Sequence, residues 1–293
     1  MAAERVPARR DDDGRVINAM SVDVEEYFQV GAFETCIKRE DWPRFESRVV
    51  ANTESILELF AAHDVKATFF CLGWVAERHA GLLRAIVDAG HEVASHGYDH
   101  RRVFELDPKS FAADLARTKA ILEDCAGQPV IGYRAPSFSI GENNAWALDV
   151  LADQGYAYSS SIYPIRHDHY GMPSAPRFAF RHGADGMIEI PLTTVKWAGR
   201  TLPCSGGGYF RLLPYRLSRA MMRRVNAQDE AACMFYFHPW EVDPDQPRQH
   251  QAPWKSRFRH YTNLARMRGK LDHVLRDFRW DRVDRVFLPA AAG

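Results

Sequence analysis

The chain has 293 residues, of which 46% are hydrophobic, so it is long enough to bury one large core. Lysine and arginine together number 38, as do aspartate and glutamate, so the net charge gives no general argument for binding to nucleic acid or to a membrane. The five cysteines are an odd number without a Cys-x-x-Cys pair, which argues against both a disulfide framework and a thiolate zinc site.

The N-terminal segment, residues 1–15, is polar and contains three consecutive aspartates, and we expect it to be flexible. It lacks the apolar region of a signal peptide, and nowhere do about 18 apolar residues run together, as a membrane-spanning helix requires. The sequence therefore predicts a cytoplasmic protein with no transmembrane segment. Residues 16–293 are expected to form a single domain.

Strands and helices are predicted to alternate from there on. The first strand ends in acidic residues, and alternation along it points Asp23 and Glu25 to one side and Val24 to the other. Alternating strands and helices predict a mostly parallel sheet or barrel, in which catalytic residues lie at the carboxyl ends of strands. Helices are expected at 46–63, 74–89, 107–125, 145–154 and 214–226, and further strands at 66–72, 92–96, 130–134, 156–161, 187–192 and 232–238.

His96 and His100 follow the third predicted strand and are spaced so that both can bind one metal ion. Imidazole is the commonest protein ligand of zinc, and a catalytic site usually adds a carboxylate and keeps one position open for water. Because the chain has 12 histidines, this spacing alone is weak evidence. It is strengthened by the acidic end of the first strand and by Arg134 and His238, which end two other strands. Together these residues predict a metal-dependent hydrolase.

Four motifs in this order resemble the polysaccharide deacetylases of carbohydrate esterase family four, the group with the NodB-homology fold. They are residues 21–25 (SVDVE), 96–100 (HGYDH), 134–136 (RAP) and the strand that ends at His238. The resemblance implies a distorted (β/α) barrel of about seven strands that hydrolyses N-acetyl groups on a sugar polymer or its precursor.

Within that family, the chain resembles the branch found in exosortase-associated exopolysaccharide loci of Gram-negative bacteria. The implied substrate is an N-acetylhexosamine-containing exopolysaccharide or its biosynthetic intermediate, so the expected partner is an N-acetylated or lipid-linked glycan, and a peripheral contact with the inner membrane stays open. This second resemblance lies in residues 22–28, 160–164, 206–211 and 237–241.

The family's usual first motif has two adjacent aspartates, of which the first is a general base and the second a metal ligand. The base is then Asp23, but Val24 occupies the second place and cannot bind a metal. By strand alternation Glu25 is the natural replacement, with Glu26 as the alternative. The ligands implied are Glu25, His96 and His100, and the metal is expected to be Zn²⁺, with Co²⁺ or another divalent ion as alternatives.

The resemblance also implies that His238 is the general acid and that Arg134 orients the catalytic base. Ser159 stands where the family commonly has an aspartate that pairs with the catalytic histidine. Asp168, Glu241 and Asp243 are candidates to replace it, and the sequence does not choose among them. The residues expected to contact the substrate are Tyr133, Pro136, Tyr209 and Trp240.

Two other functions remain open at this point. A cyclic amide or ureide hydrolase of the same barrel family is one, and a catalytically weakened carbohydrate-binding protein, suggested by Val24 and Ser159, is the other. From about residue 254 a helical extension carries ten basic against four acidic residues up to residue 285. Its apolar spacing predicts packing on the barrel, and its basic face is either solvated or attracts an anionic polymer or lipid carrier.

Overall fold

The structure, a computed structural model, describes residues 4–166, 171–183 and 186–289. Its main element is a curled, mostly parallel sheet with helices packed against one face, which confirms the predicted α/β fold. The strands are β1 (Ile17–Val24), β2 (Thr68–Cys71), β3 (Glu92–Ser95), β4 (Gly132–Tyr133), β5 (Tyr158–Ser159), β6 (Phe180–His182), β7 (Met187–Glu189), β8 (Thr194–Trp197), β9 (Arg200–Pro203), β10 (Met234–Phe237) and β11 (Arg279–Asp281). The α-helices are α1 (Val49–Ala62), α2 (Gly73–Arg78), α3 (Ala80–Asp88), α4 (Pro108–Ala126), α5 (Trp146–Asp153), α6 (Gly207–Leu212), α7 (Tyr215–Gln228), α8 (Trp254–Tyr261), α9 (Leu264–Asp277) and α10 (Val283–Phe287).

The strand order in the main sheet is β10-β1-β2-β3-β4-β5-β7-β6, and β11 pairs with the start of β1. Each neighbouring pair is parallel except β6 with β7. Among the described residues eight strands, β1 to β5, β7, β10 and β11, therefore form the parallel set, and the sequence predicts all of them except β11. Since parallel strands end at the same edge, the residues that follow β1, β3, β4 and β10 are brought together.

Alternate residues of the central strands enter two different apolar clusters. Phe69 and Val93 pack against the helices, whereas Ala19, Phe70 and Ala94 belong to a cluster on the other face. That second cluster also takes residues from β5, β7 and β10, so it fills the concave side of the curled sheet. By the same alternation, the side chains at odd positions of β1 point to the concave side.

The helix α4 shows how local sequence sets an element's limits. Asp107 accepts a hydrogen bond of 2.8 Å from the backbone nitrogen of Ser110, and Pro108 occupies the first helical position. The helix ends at Gly127, whose φ of 68° is the left-handed conformation that glycine adopts without strain. These limits agree with the helix predicted from Asp107 to about Cys125.

Besides the strands β6 and β11, which the sequence did not predict, two parts of the fold differ from the prediction. The helix expected over 74–89 is divided at His79, whose φ of −136° and ψ of 49° interrupt it between α2 and α3. The antiparallel hairpin of β8 and β9, which lies outside the main sheet, was not predicted because its exposed strands lack a continuous apolar pattern. Neither difference moves a strand that carries a candidate site residue.

Both ends of the described chain pack on this sheet. Arg5 forms an antiparallel bridge with Phe180, and Arg10 forms one with Val16. At the other end, α9 buries Leu264, Met267, Leu271, Val274 and Leu275. Within the described residues, no helix is both long enough and apolar enough to cross a membrane. The division into a flexible N-terminus, a single domain and a C-terminal extension stays a prediction.

Candidate metal centre and catalytic site

His96 follows β3 directly and is buried at the concave edge of the sheet. Its Nδ1 lies 2.8 Å from the backbone oxygen of Arg134. A carbonyl oxygen only accepts, so Nδ1 must carry the proton and Nε2 keeps its lone pair. Burial lowers the pKa of His96 to about 4, although Asp23 and Glu25 oppose this shift. The ring is therefore neutral at neutral pH, as a metal ligand must be.

His100 reaches the same place through a tightly turned loop. Gly97 has a φ of 73° and His100 a φ of 56°, so the loop contains two left-handed residues, of which only the first is glycine. Arg39 donates to the backbone oxygens of Asp99 (2.9 Å) and His100 (3.4 Å), which holds the loop. A strained non-glycine residue of this kind is commonly found at functional sites.

Glu25 completes a group of three potential ligands with His96 and His100. One donor atom of each lies within 4.8 Å of the other two, and all three residues are buried. Glu25 Oε2 is 2.9 Å from His100 Nε2, yet it has no hydrogen-bond partner among the described residues. A buried carboxylate oxygen that faces two imidazoles without a hydrogen bond fits a site for a divalent cation. Burial raises the pKa of Glu25, but the neighbouring histidines, first His100 and then His238, bring it to about 2.

Glu26 has a different role, although the sequence left it as an alternative ligand. Its carboxylate accepts hydrogen bonds from the backbone nitrogens of Arg48 (3.1 Å) and Val49 (3.3 Å) and from the hydroxyl of Ser47 (2.5 Å). Negative charge at this position is favourable because the N-terminus of α1 presents unpaired N–H groups. The geometry thus separates the two glutamates, with Glu25 in the ligand group and Glu26 at the start of α1.

Asp23 and Arg134 form a buried ion pair beside the ligand group. Arg134 Nη1 donates to Asp23 Oδ1 at 2.5 Å, and the arginine side chain is 0% exposed. Nη1 also donates to the hydroxyl of Ser21 (2.8 Å), and Nη2 and Nε donate to Ser160 Oγ (3.1 Å) and O (3.2 Å). A buried arginine with several acceptors is held in one orientation, and its role in orienting a catalytic base stays a prediction. Asp23 Oδ2 lies 3.9 Å from Nε2 of His238.

His238 follows β10 and is partly exposed, with its Nε2 3.6 Å from Glu25 Oε1. Its Nδ1 lies 2.7 Å from Oε1 of Glu241, and the same oxygen accepts from the backbone nitrogen of His238 at 3.1 Å. Glu241 reaches back in this way because Pro239 starts a 3-10 turn, Pro239–Val242, that places it one turn beyond the histidine. Burial lowers the pKa of His238, but the charge of Glu25 and the bond to Glu241 raise it to about 9.

Of the three candidates to replace the aspartate missing at Ser159, Glu241 is the one that pairs with His238 in the structure. Asp243, a second candidate, instead pairs with Arg48 at 2.5 Å. The third candidate, Asp168, lies outside the described residues. Ser159 donates from its hydroxyl to Ser161 Oγ at 2.8 Å. Sequence reasoning could name Glu241 as a candidate but could not select it, because the selection depends on the 3-10 turn.

Gly206 and Gly207 bring another chain segment against β10. Their φ values are 121° and 53°, and a Cβ on Gly206 would lie 2.1 Å from the backbone oxygen of Tyr236. A Cβ on Gly207 would lie 2.5 Å from the hydroxyl of the same tyrosine. Glycine is therefore required here by close approach. The result is that α6 begins beside the strand that carries His238.

Arg211, on α6, is the site residue that sequence reasoning missed. Its Nε donates to Glu241 Oε2 at 2.6 Å, and both side chains are buried. Its other nitrogens donate to the backbone oxygens of Arg259 (3.0 Å), His260 (2.7 Å) and Thr262 (2.9 Å), at the C-terminal end of α8. Arg211 lies in the segment 206–211 that carries part of the family resemblance, but only the fold shows that its side chain is buried and paired with Glu241.

The residues predicted to contact substrate lie in different environments. Tyr133 is buried and packs edge-on against Phe111 and Tyr156 in the core. Pro136 is buried as well, and Tyr209 is half-buried. Trp240 is also buried, and its Nε1 donates to Glu25 Oε1 at 3.2 Å, so it holds the carboxylate of the candidate ligand group. Contact of these residues with a sugar stays a prediction.

Two protein-family models match adjacent parts of the chain. Residues 40–159 match the family model described as polysaccharide deacetylase. Over these residues the chain is similar to the polysaccharide deacetylases. Residues 160–288 match a second model, a domain of unknown function (DUF3473). The deacetylase match covers His96, His100 and Arg134, whereas Arg211, His238 and Glu241 lie in the second match. The exopolysaccharide-locus branch of the family stays a prediction.

Curated relatives of the deacetylase domain act on N-acetylated glycans according to their names. A peptidoglycan-N-acetylglucosamine deacetylase of Bacillus cereus is 31% identical over 40% of this chain and 41% of its own length. A chitooligosaccharide deacetylase of Rhizobium leguminosarum bv. trifolii is 26% identical over 49% of this chain and 60% of its own. A peptidoglycan deacetylase of Helicobacter pylori is 31% identical over 36% of each chain. The chain thus spans only part of the length of these relatives.

A solved structure supports the fold of the whole described chain. It is the crystal structure of a protein assigned as a polysaccharide deacetylase from Mycobacterium smegmatis, with a TM-score of 0.58 at 20% sequence identity. The similarity covers 93% of this chain and 88% of that one. At this identity the comparison establishes the shared fold and leaves the activity to be argued from the site.

Proposed function

We propose that this protein is a metal-dependent N-deacetylase that removes acetyl groups from an N-acetylhexosamine-containing exopolysaccharide or its biosynthetic intermediate. The observation that carries the proposal is the meeting, at one edge of the sheet, of a three-ligand group, an ion-paired aspartate and a histidine paired with a glutamate. These are the parts that amide hydrolysis requires. The glycan relatives supply the class of substrate.

A divalent ion held by Glu25, His96 and His100 would polarise the acetyl carbonyl and lower the pKa of a bound water. We expect zinc because two imidazoles and one carboxylate are typical ligands of catalytic zinc, and Co²⁺ commonly replaces it. The donor set fits this ion, since the imidazole of His96 is neutral and the carboxylate is ionised at neutral pH.

Asp23 acts as the general base. It takes a proton from water while the water oxygen forms a bond to the carbonyl carbon of the acetamide. Arg134 holds Oδ1 at 2.5 Å, which leaves Oδ2 as the oxygen that receives the proton. Because Asp23 and Glu25 are two residues apart on one strand edge, the base and the ligand group approach the same acetyl group.

His238 acts as the general acid. Glu241 takes up Nδ1 and stabilises the protonated ring, so Nε2 is the atom that gives its proton to the leaving nitrogen. The carbon–nitrogen bond then breaks to yield acetate and a free amine on the sugar. Base and acid are thus separate residues, and no covalent enzyme intermediate is needed.

The test is acetate release from N-acetylglucosamine oligomers by the full chain after chelation and return of Zn²⁺ or Co²⁺. We expect metal-dependent release that falls about 10²- to 10⁴-fold in Asp23→Asn and in His238→Asn. His182→Asn serves as the matched control, because His182 pairs with Asp149 outside the site and its loss leaves the rate unchanged.

Other outcomes would replace the proposal. Turnover of a cyclic ureide such as allantoin, without acetate release from any glycan, would assign the cyclic amide alternative. Glycan binding by a metal-free protein without turnover would assign the carbohydrate-binding alternative. Comparison of free oligomers with lipid-linked and polymeric substrates then tests whether the substrate is a polymer or its intermediate.

A further inference from the structure

The segment 246–271 has the most one-sided charge in the chain. It contains seven lysines and arginines and no aspartate or glutamate, although the whole chain has 38 of each sign. A local excess of positive charge attracts negatively charged surfaces even though the protein as a whole is neutral. The segment includes α8 and most of α9, so its charge lies on defined surfaces.

The helix α8 also exposes large aromatic side chains. Trp254 is 72% exposed and Phe258 is 57% exposed, the highest values among the large apolar residues that the structure describes. They are four residues apart and so lie on one face of the helix. Lys255, Arg257 and Arg259 are exposed beside them, and within the described part of the chain none of the three forms an ion pair.

The C-terminal end of α8 is held firmly, in contrast to its exposed face. Arg211 donates to three backbone oxygens there, a favourable position for a cation at a helix C-terminus. His260 is buried and its ring stacks on Trp240, with centroids 4.1 Å apart and planes 16° apart. Because this end of α8 is held in place, Trp254 and Phe258 stay exposed on the surface of the protein.

We propose that the exposed face of α8 docks this protein on an anionic lipid surface. Cations alone would suit any polyanion, but exposed tryptophan and phenylalanine among them suit the boundary between headgroups and acyl chains. Clusters of four to eight basic residues of this kind bind anionic lipids. A bilayer with negatively charged headgroups satisfies the chemistry of both residue types together.

Docking in this way would bring the catalytic site close to the membrane, a consequence that rests on the proposed function. Trp254 and His260 are six residues apart, about 9 Å along a helix. The ring of His260 stacks on Trp240, which in turn stacks on His238 at 5.0 Å. A glycan that is attached to lipid, or that leaves the membrane nearby, would be within reach of such a site.

The test is co-sedimentation of the full chain with vesicles of phosphatidylglycerol and phosphatidylcholine, compared with phosphatidylcholine alone. We expect binding to the anionic vesicles only, weakened by salt. The double variant Trp254→Ser/Phe258→Ser should lose at least about tenfold in partitioning, and Lys255→Glu/Arg257→Glu at least about tenfold as well. Because binding needs no turnover, this result is independent of the deacetylase assay.

Matched controls use side chains of the same types elsewhere. Phe104→Ser/Trp197→Ser removes two other exposed aromatics, and Lys38→Glu/Lys109→Glu reverses two other exposed charges. All four variants should keep the circular dichroism of the parent. The proposal is overturned if the anionic vesicles do not bind, if the α8 variants bind like the parent, or if the controls lose as much. If the parent and Trp254→Ser/Phe258→Ser bind a soluble polyanion equally well and neither protein binds vesicles, the surface is assigned to an anionic polymer instead.

Discussion

Replacing Arg211 by methionine is the perturbation that the structure resolves most sharply. The side chain is buried, and its guanidinium lies 2.6 Å from the carboxylate of Glu241 and donates to three backbone oxygens at the end of α8. Methionine fills part of the volume, leaves Glu241 with His238 as its remaining charged partner, and leaves three backbone oxygens at the end of α8 without their donor. Removing one partner of a buried ion pair costs about 3 to 5 kcal/mol. We expect a loss of that size in the free energy of unfolding.

Thermal and urea denaturation measure this loss directly. At about 2 °C per kcal/mol for a chain of this size, Arg211→Met should lower Tm by about 6 to 10 °C. Glu241→Gln should cost less, about 1 to 3 kcal/mol, since Arg211 keeps its three carbonyl acceptors. The double variant leaves no unpaired buried charge, so its loss should be smaller than the sum of the two single losses.

The control is Arg216→Met, which changes an exposed arginine near the start of α7 and should stay within about 0.5 kcal/mol of the parent. Three results would refute the reasoning. Arg211→Met could be as stable as the parent, the two single effects could add without coupling, or the exposed control could lose as much as the buried site. Any of these would mean that the ion pair does not hold α6, α8 and the turn after β10 together.

Three further predictions follow from single contacts. Glu25→Gln should weaken Zn²⁺ binding at least about tenfold by calorimetry. Glu26→Gln should keep the zinc affinity and lower the stability, because the Glu26 carboxylate caps α1. Equal losses of zinc affinity in the two variants would contradict the ligand assignment. Gly206→Ala should lower the free energy of unfolding by more than about 3 kcal/mol in urea denaturation, since the new Cβ would lie 2.1 Å from a backbone oxygen of β10. Gly208→Ala should be tolerated, because the nearest neighbour of its Cβ would lie at 3.8 Å. Burial lowers the pKa of His91 to about 4, so the contribution of this group to stability is present above about pH 6.5 and is lost as the pH falls towards 4. His91→Gln should therefore lose less stability than the parent between pH 7 and pH 5. An identical loss in the two proteins would exclude His91 as a cause of the pH dependence.

Much of the site could be predicted because it depends on strand ends. Asp23, His96, Arg134 and His238 each lie on or directly after a parallel strand, and a run of apolar residues that stops at a polar one is visible in sequence. Parallel pairing then brings the strand ends together without further information. The same reasoning explains why seven of the parallel strands were predicted and the exposed hairpin of β8 and β9 was not.

What could not be predicted depends on contacts between distant segments. Glu241 and Asp243 are both within reach of His238 in sequence, and only the 3-10 turn and the Arg48 pair separate them. Arg211 reaches Glu241 because Gly206 lets α6 approach β10. Side-chain burial of a charged residue is the rarest case in sequence statistics, so an arginine is read as exposed unless the fold is known.

The division of the site between two family models has a mechanistic consequence. The polysaccharide deacetylase match, residues 40–159, contains His96 and His100 of the candidate ligand group and Arg134, which pairs with Asp23. The proposed acid His238, its partner Glu241 and the buried Arg211 all lie in the match to a domain of unknown function, residues 160–288. Asp23 and Glu25 precede both matches, on β1 and directly after it, and β1 pairs with β10 from the second region and with β2 from the first. Under the proposed mechanism, the region of unknown function supplies the general acid His238, and the pairing of β1 with β10 brings this acid to the base Asp23.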